Sequence, residues 1–141
     1  MKISFLHPDA RLPEYQSDGA AGADLYAHLE EDISVPPKGW VLIPTGLALA
    51  IPKGYQAEVR ARSGLALREG LFVLNGPGTI DSDYRGELKV ILANFSDEPR
   101  IIHPNDRIAQ LIIMPAVRAR FVAASINPTS RDSGGFGSTG T

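Results

Sequence analysis

Fourteen glycines and eleven prolines are scattered through 141 residues, and this punctuation leaves few stretches long enough for an ordinary helix. Between the breaks lie short apolar runs of strand length. The plainest is Tyr55–Arg62, where Tyr55, Ala57, Val59 and Ala61 alternate with Gln56, Glu58, Arg60 and Arg62, the pattern of a half-buried strand. Comparable runs predict strands at Lys2–Phe5, Ile33–Val35, Trp40–Pro44, Leu47–Ile51, Leu71–Leu74, Leu88–Asn94, Arg100–His103 and Ile108–Met114. Turn signals fall between them: Pro-Pro-Lys-Gly at 36–39, Pro-Lys-Gly at 52–54, Ser-Asp-Glu-Pro at 96–99 and Pro-Asn-Asp at 104–106. Only Ser63–Glu69 reads as a helix, with Ser63 as its N-cap and Gly70 just past its end. The sum is an all-β chain, a sandwich or jelly roll with one short helix.

A chain of this length forms one domain and buries about 68–70% of its unfolded surface. It contains no cysteine, which excludes disulfides and thiolate metal sites, and nothing points to an oxidising compartment. A net charge of −2 speaks against general nucleic-acid or membrane binding. No apolar run reaches the ~18 residues of a membrane span, and Met1-Lys2 leads into a strand-like segment, so the expected location is cytoplasmic. A polyphosphate ligand would have to be held by a few placed groups. From Val117 onward the apolar runs fade, dividing the chain into a β domain at 1–117 and a C-terminal arm at 118–141. The arm carries three arginines against one aspartate, a side-chain sum of +2, and its small polar residues predict mobility when it is free. A mobile basic tail with an aromatic, Phe136, set among glycines suits a lid.

The chemistry-bearing residues cluster. NGPGTIDSDYRGE at Asn75–Glu87 sets two carboxylates and a tyrosine among glycines that let backbone approach a ligand closely, a setting for chemistry on something flat. AGADLYA at 21–27, RSGLA at 62–66, DRIAQL at 106–111 and RDSGGFGSTG at 131–140 accompany it. Taken singly, each has a bland reading: Asp81 as a turn residue, Ser63 as a helix cap, the glycine run as a floppy end. A calcium loop starting at Asp81 fails, because its fifth position is Arg85 and its twelfth is Leu92. A Walker phosphate loop fails too, since no lysine follows Lys89. His7, His28 and His103 stand apart and receive no role.

Together and in this order, the five motifs resemble those of the homotrimeric dUTPase family (deoxyuridine 5′-triphosphate nucleotidohydrolases), over nearly the whole chain. The one departure is Asn105 where the fourth motif usually has glycine, and asparagine tolerates left-handed backbone. The resemblance implies a jelly-roll subunit in a threefold trimer, with active sites between subunits that convert dUTP to dUMP and pyrophosphate and thereby supply dUMP for dTMP synthesis. It implies that Asn75 and the backbone at Gly78, Thr79, Ile80 and Lys89 pair with uracil. Cytosine, with donor and acceptor exchanged at position 4, would leave polar atoms unpaired. Tyr84 would occupy the space that a ribose 2′-hydroxyl needs.

Asp81 is the implied base for a water attacking the α-phosphorus. Arg62, Ser63, Gly64 and Gln110 would hold the phosphates. Mg²⁺ would arrive on the triphosphate, with no direct protein ligand; Asp24 either touches its hydration shell or braces the site, and bracing is favoured. Phe136 would stack on uracil while Arg131, Gly137 and Ser138 reach the γ-phosphate. The dCTP deaminases share that fold and trimer, but their catalytic glutamate falls at Ile91 here. A non-catalytic nucleotide-binding regulator is the rival from another class, and it would have little reason to retain Asp81, Tyr84 and the arm together.

Overall fold

In a computed structural model that describes residues 1–135, ten strands and one helix occupy the described chain up to Pro115. They are β1 (Lys2–Phe5), β2 (Ala23–Tyr26), β3 (Ile33–Val35), β4 (Trp40–Ala50), β5 (Tyr55–Arg60), α1 (Ser63–Glu69), β6 (Leu71–Val73), β7 (Gly78–Ile80), β8 (Glu87–Asn94), β9 (Arg100–Ile102) and β10 (Arg107–Pro115). All pairing is antiparallel. One sheet runs β1-β4-β8-β6, a second runs β2-β10-β5-β7, and β3 with β9 forms a small ribbon. Side chains from all three merge into one core that includes Leu25, Val35, Ile43, Val59, Leu88, Leu92, Ile102, Ile108 and Leu111. Each such buried aliphatic side chain contributes about 1.5–3 kcal/mol. This is the expected all-β jelly-roll architecture, and all four predicted turns lie between strands.

Three differences from the sequence reading are informative. The runs at Trp40–Pro44 and Leu47–Ile51 belong to a single strand, β4, bent by a bulge where the register to β8 shifts between Pro44 and Ala48. Gly46 lies at φ +69 inside that bend, with its N–H donated to Glu87 Oε1 at 3.0 Å and its carbonyl accepting from Leu6 N at 2.8 Å. The bend lets one strand pair with β8 over its first half and with β1 over its second. Secondly, β2 and β7 lack a sequence signal: all four residues of β2 are buried, so nothing alternates, and β7 is three residues beginning with glycine. Thirdly, Ser63 is the first residue of α1 and not its N-cap. Arg62 takes the cap position, extended at φ −84 and ψ 124, and no side chain caps the helix. Gly70 does end it as expected, left-handed at φ 68, with its N–H donated to the Leu65 carbonyl.

Beyond Pro115 the described chain has no strand or helix. Ala116 N donates to the Gly54 carbonyl at 2.9 Å, and Val117, Phe121 and Ile126 project into solvent. No helix in the described residues is long and apolar enough to cross a membrane.

Candidate active site

Strand β7 runs beside β5, with Val59 opposite Gly78 and Ala57 opposite Ile80. The chain then turns through Asp81–Gly86 into β8. This hairpin, with the face of β4 and β8 beside it, lines a pocket of about 520 Å³: Leu42, Asn75, Thr79, Ile80, Asp81, Tyr84, Glu87, Lys89 and Ile91. Six of these nine residues lie in the third motif. The Asn75 side chain lies across Gly78, where any Cβ would come within 3.0 Å of Asn75 Nδ2. Absence of a side chain at Gly78 is thus what lets the amide and the β7 backbone converge on one edge. The turn is closed by Tyr84 N donating to the Asp81 carbonyl at 3.2 Å, and Arg85 Nη1 donates to the carbonyls of Ser82 at 2.8 Å and Tyr84 at 2.7 Å.

The Tyr84 ring is held flat against the hairpin. Its hydroxyl donates to the Glu87 carbonyl at 3.0 Å, and a Cβ at Gly86 would overlap the Tyr84 hydroxyl and ring. Glu87 itself joins this pocket to the β4 bend, accepting from Gly46 N and pairing with Lys89 Nζ at 3.2 Å. Among the described residues no side chain hydrogen-bonds the Asp81 carboxylate, which leaves both oxygens available to a water in the pocket. Ile91 lines the same pocket and offers no proton.

A second cluster forms around Asp24. This carboxylate is only 1% exposed, and a buried charge is tolerable when it is paired. Its Oδ1 accepts from Arg62 Nε at 3.2 Å and Gln110 Nε2 at 3.3 Å, while Oδ2 accepts from Arg107 Nη1 at 3.2 Å. Register explains the convergence, because β10 sets Gln110 directly opposite Asp24 on β2. Arg62 reaches in from the start of α1 and also donates from Nη1 to the Arg107 carbonyl at 2.9 Å. In this geometry Asp24 is a brace for two guanidiniums. Ser63 and Gly64 form the first turn of α1 immediately after Arg62, with the Ser63 side chain exposed. Asn105, in the turn that leads into Arg107, adopts φ +67, a left-handed backbone that asparagine tolerates.

The sequence reading selected Asp24, Arg62 and Gln110 here but passed over Arg107 and Gln16, whose Oε1 accepts from Arg107 Nη1 at 3.2 Å. Arg107 stood inside a quoted motif and was legible as a cation beside Asp106; Gln16 carried no signal. Glu87, Leu42 and Ile91 were likewise not selected for the pocket. The histidines do not all stand apart: the rings of His7 and His28 stack at 4.5 Å. His103 Nδ1 lies 2.8 Å from Asp32 Oδ1, and that hydrogen bond, with the carboxylate's charge, raises the imidazole above its ordinary value of 6.5. Arg131 meets neither cluster, its Nε donating to the nearby Gly134 carbonyl at 2.9 Å. Phe136, Gly137 and Ser138 lie outside the described residues.

The pocket and the Asp24 cluster share no residue. Asp24 lies on β2 and Thr79 and Ile80 on β7, the opposite edges of one sheet, separated by β10 and β5. Three strand spacings amount to roughly 14 Å.

A family model described as dUTPase matches residues 8–140. The chain is 54% identical over 139 residues to the deoxyuridine 5′-triphosphate nucleotidohydrolase of Chlamydia caviae, covering 96% of this chain and 95% of that one. Among solved structures, it is similar to a dUTPase of Staphylococcus bacteriophage 80alpha in complex with dUpNHpp, at a TM-score of 0.80 and 25% identity, covering 99% and 98% of the two chains. The dUTPase from phage phi11 of S. aureus, which coordinates a structural Mg(II) ion, gives a TM-score of 0.77 at 25% identity, covering 89% and 96%.

Proposed function

The chain belongs to the dUTPase family and hydrolyses dUTP, and we propose that it does so on a site assembled from two separate surfaces of neighbouring copies. The observation that carries this reading is the pocket in which the Asn75 amide, the β7 backbone, the Tyr84 ring and the free Asp81 carboxylate face one volume. Asn75 and the Gly78, Thr79, Ile80 and Lys89 backbone pair with uracil. Deoxyribose lies on the Tyr84 ring, whose fixed position leaves no space for a 2′-hydroxyl. Asp81 takes the proton of a water lined up on the α-phosphorus, and the pyrophosphate leaves with its bridging oxygen.

Arg62, Ser63, Gly64 and Gln110 contact the phosphate chain, and Asp24 keeps Arg62 and Arg107 in place while they do so. These groups come from a second copy, because a single chain holds Arg62–Gly64 beyond the Arg60 end of β5, with Gln110 opposite Arg60, whereas Asp81 follows Ile80, which pairs with Ala57 toward the other end of that strand. Supporting such assembly, Trp40 and Leu42 point outward from β4 at 63% and 55% exposure, opposite Ala93 and Ile91 on β8. Leu42 and Ile91 also line the pocket, so this apolar face runs into the site. We assign a homotrimer, with the arm of a further copy bringing Arg131, Phe136, Gly137 and Ser138 to the triphosphate.

Mg²⁺ fits as a companion of the substrate. Among the described residues no three His, Asp or Glu side chains are grouped to hold an ion, and Asp24 directs its acceptors at Arg62, Arg107 and Gln110. When bound with the triphosphate the ion offsets charge on the phosphate oxygens. A free nucleotide substrate and a cysteine-free chain suit a cytoplasmic setting. The test is pyrophosphate release from dUTP with dCTP as the parallel substrate, beside a measurement of mass in solution. Release from dUTP alone by a trimer is the expected result; deamination of dCTP, or a monomer with full activity, would refute the reading.

A further inference from the structure

Strand β2 is an edge strand, and the segment Arg11–Gln16 covers its open side. Glu14 and Asp24 exchange both backbone hydrogen bonds, Glu14 N to the Asp24 carbonyl at 3.2 Å and Asp24 N to the Glu14 carbonyl at 2.8 Å. The Tyr26 hydroxyl, on the same strand, donates to Glu14 Oε2 at 2.7 Å. Burial of Tyr26 and the adjoining Glu14 carboxylate raise the phenol above its ordinary value, so it stays a donor. Arg11 lies 3.9 Å over the Tyr26 ring and 3.8 Å from Glu14. Glu14 is therefore fixed through main chain and side chain alike, and Gln16 follows two residues later.

That anchorage sets the orientation of the Gln16 amide. Its Nε2 faces two oxygens, the Glu14 carbonyl at 3.4 Å and the Tyr26 hydroxyl at 3.5 Å. Its Oε1 is consequently turned to Arg107, accepting from Nη1 at 3.2 Å. The same Nη1 donates to Asp24 Oδ2. Arg107 is thus pinned between a buried carboxylate and an oriented amide, yet its side chain remains 44% exposed, with N–H groups left over. An unrestrained arginine loses rotamer freedom when it closes on a phosphate; one held at two points has lost it already.

We propose that Gln16 is a positioning residue for the phosphate side of the site, holding Arg107 so that its remaining donors meet the triphosphate of dUTP. The inference rests on dUTP as the substrate. It adds Arg107 to the groups that touch the phosphates, and Gln16 acts through it.

The experiment compares Gln16→Ala and Gln16→Glu with the unaltered full-length chain, using dUTP for kinetics and dUpNHpp and deoxyuridine for binding. Gln16→Glu keeps an oxygen acceptor for Arg107. Gln16→Ala should raise KM for dUTP and Kd for dUpNHpp about tenfold, the effect of one hydrogen bond to a charged group. Deoxyuridine, which has no phosphate, should bind as before, and Gln16→Glu should restore most of the loss. Equal weakening of dUpNHpp and deoxyuridine, a failure of Gln16→Glu to recover, or no change in Gln16→Ala would each overturn the proposal. Should the unaltered chain fail to hydrolyse dUTP, the substrate reading falls first, and the comparison of variants is separable from it.

Discussion

Asp81 and Asp24 are the two carboxylates of the proposed site, and their surroundings differ. Asp24 is sealed among donors, whereas Asp81 faces the pocket without a side-chain partner among the described residues. Asp81→Asn should leave folding and dUpNHpp affinity intact while turnover falls about 10²–10⁴-fold, the loss expected for a positioned base; single-turnover hydrolysis beside calorimetric binding checks it. Tyr84→Ala should narrow the ratio of kcat/KM for dUTP over UTP more than it lowers use of dUTP, as paired kinetics would report. Gly86→Ala should do the same by a different route, because its methyl group cannot coexist with the present Tyr84 ring. Asp81, Tyr84 and Asn75 were legible in the sequence because polar chemistry among glycines is unusual. Arg107 was visible only as a charge inside the fourth motif and Gln16 not at all, since their contact arises only when β10 pairs with β2 and a loop folds over that edge.

At the level of elements, the clearest strand signal came from β5, whose buried Ala57 and Val59 alternate with more open neighbours. Strand β2 is buried throughout and carries a charge, and β7 exists through its partnership with β5, so neither shows a period. The bend in β4 looked like an interruption because Pro44 and Gly46 are read locally as breakers, while the register to β8 and β1 makes them one strand. Gly46→Ala tests that geometry. At φ +69 an alanine costs about 1–2 kcal/mol, and its methyl would also lie 2.7 Å from the Ala10 Cβ, so urea unfolding should show at least that loss. The ribbon of β3 and β9 carries a pH dependence. Asp32 raises the folded-state value of His103, so the contact stabilises fully below the unfolded value of 6.5 and is lost as pH climbs through the raised one. Urea midpoints measured across that window should fall with pH in the unaltered chain, and His103→Gln should flatten this part of the profile.

For the molecule as a whole, the described part of the arm contributes no residue to the core cluster, so truncation after Pro128 should preserve a folded assembly by scattering and thermal melting. Hydrolysis should nevertheless be largely lost if, as proposed, the arm brings its residues to the triphosphate, since such closure would exclude water and complete the contacts. The separation of the pocket from the Asp24 cluster within one chain has a further consequence, this time for inheritance. On the proposed shared site, a copy bearing Asp81→Asn and a copy bearing Arg62→Ala should each be inactive alone. Co-expressed in one cell, they would build mixed rings in which a minority of sites draw an intact Asp81 from one copy and an intact Arg62 from its neighbour. Two null alleles would then rescue each other, whereas two alleles both damaged in the pocket, or both in the cluster, never would.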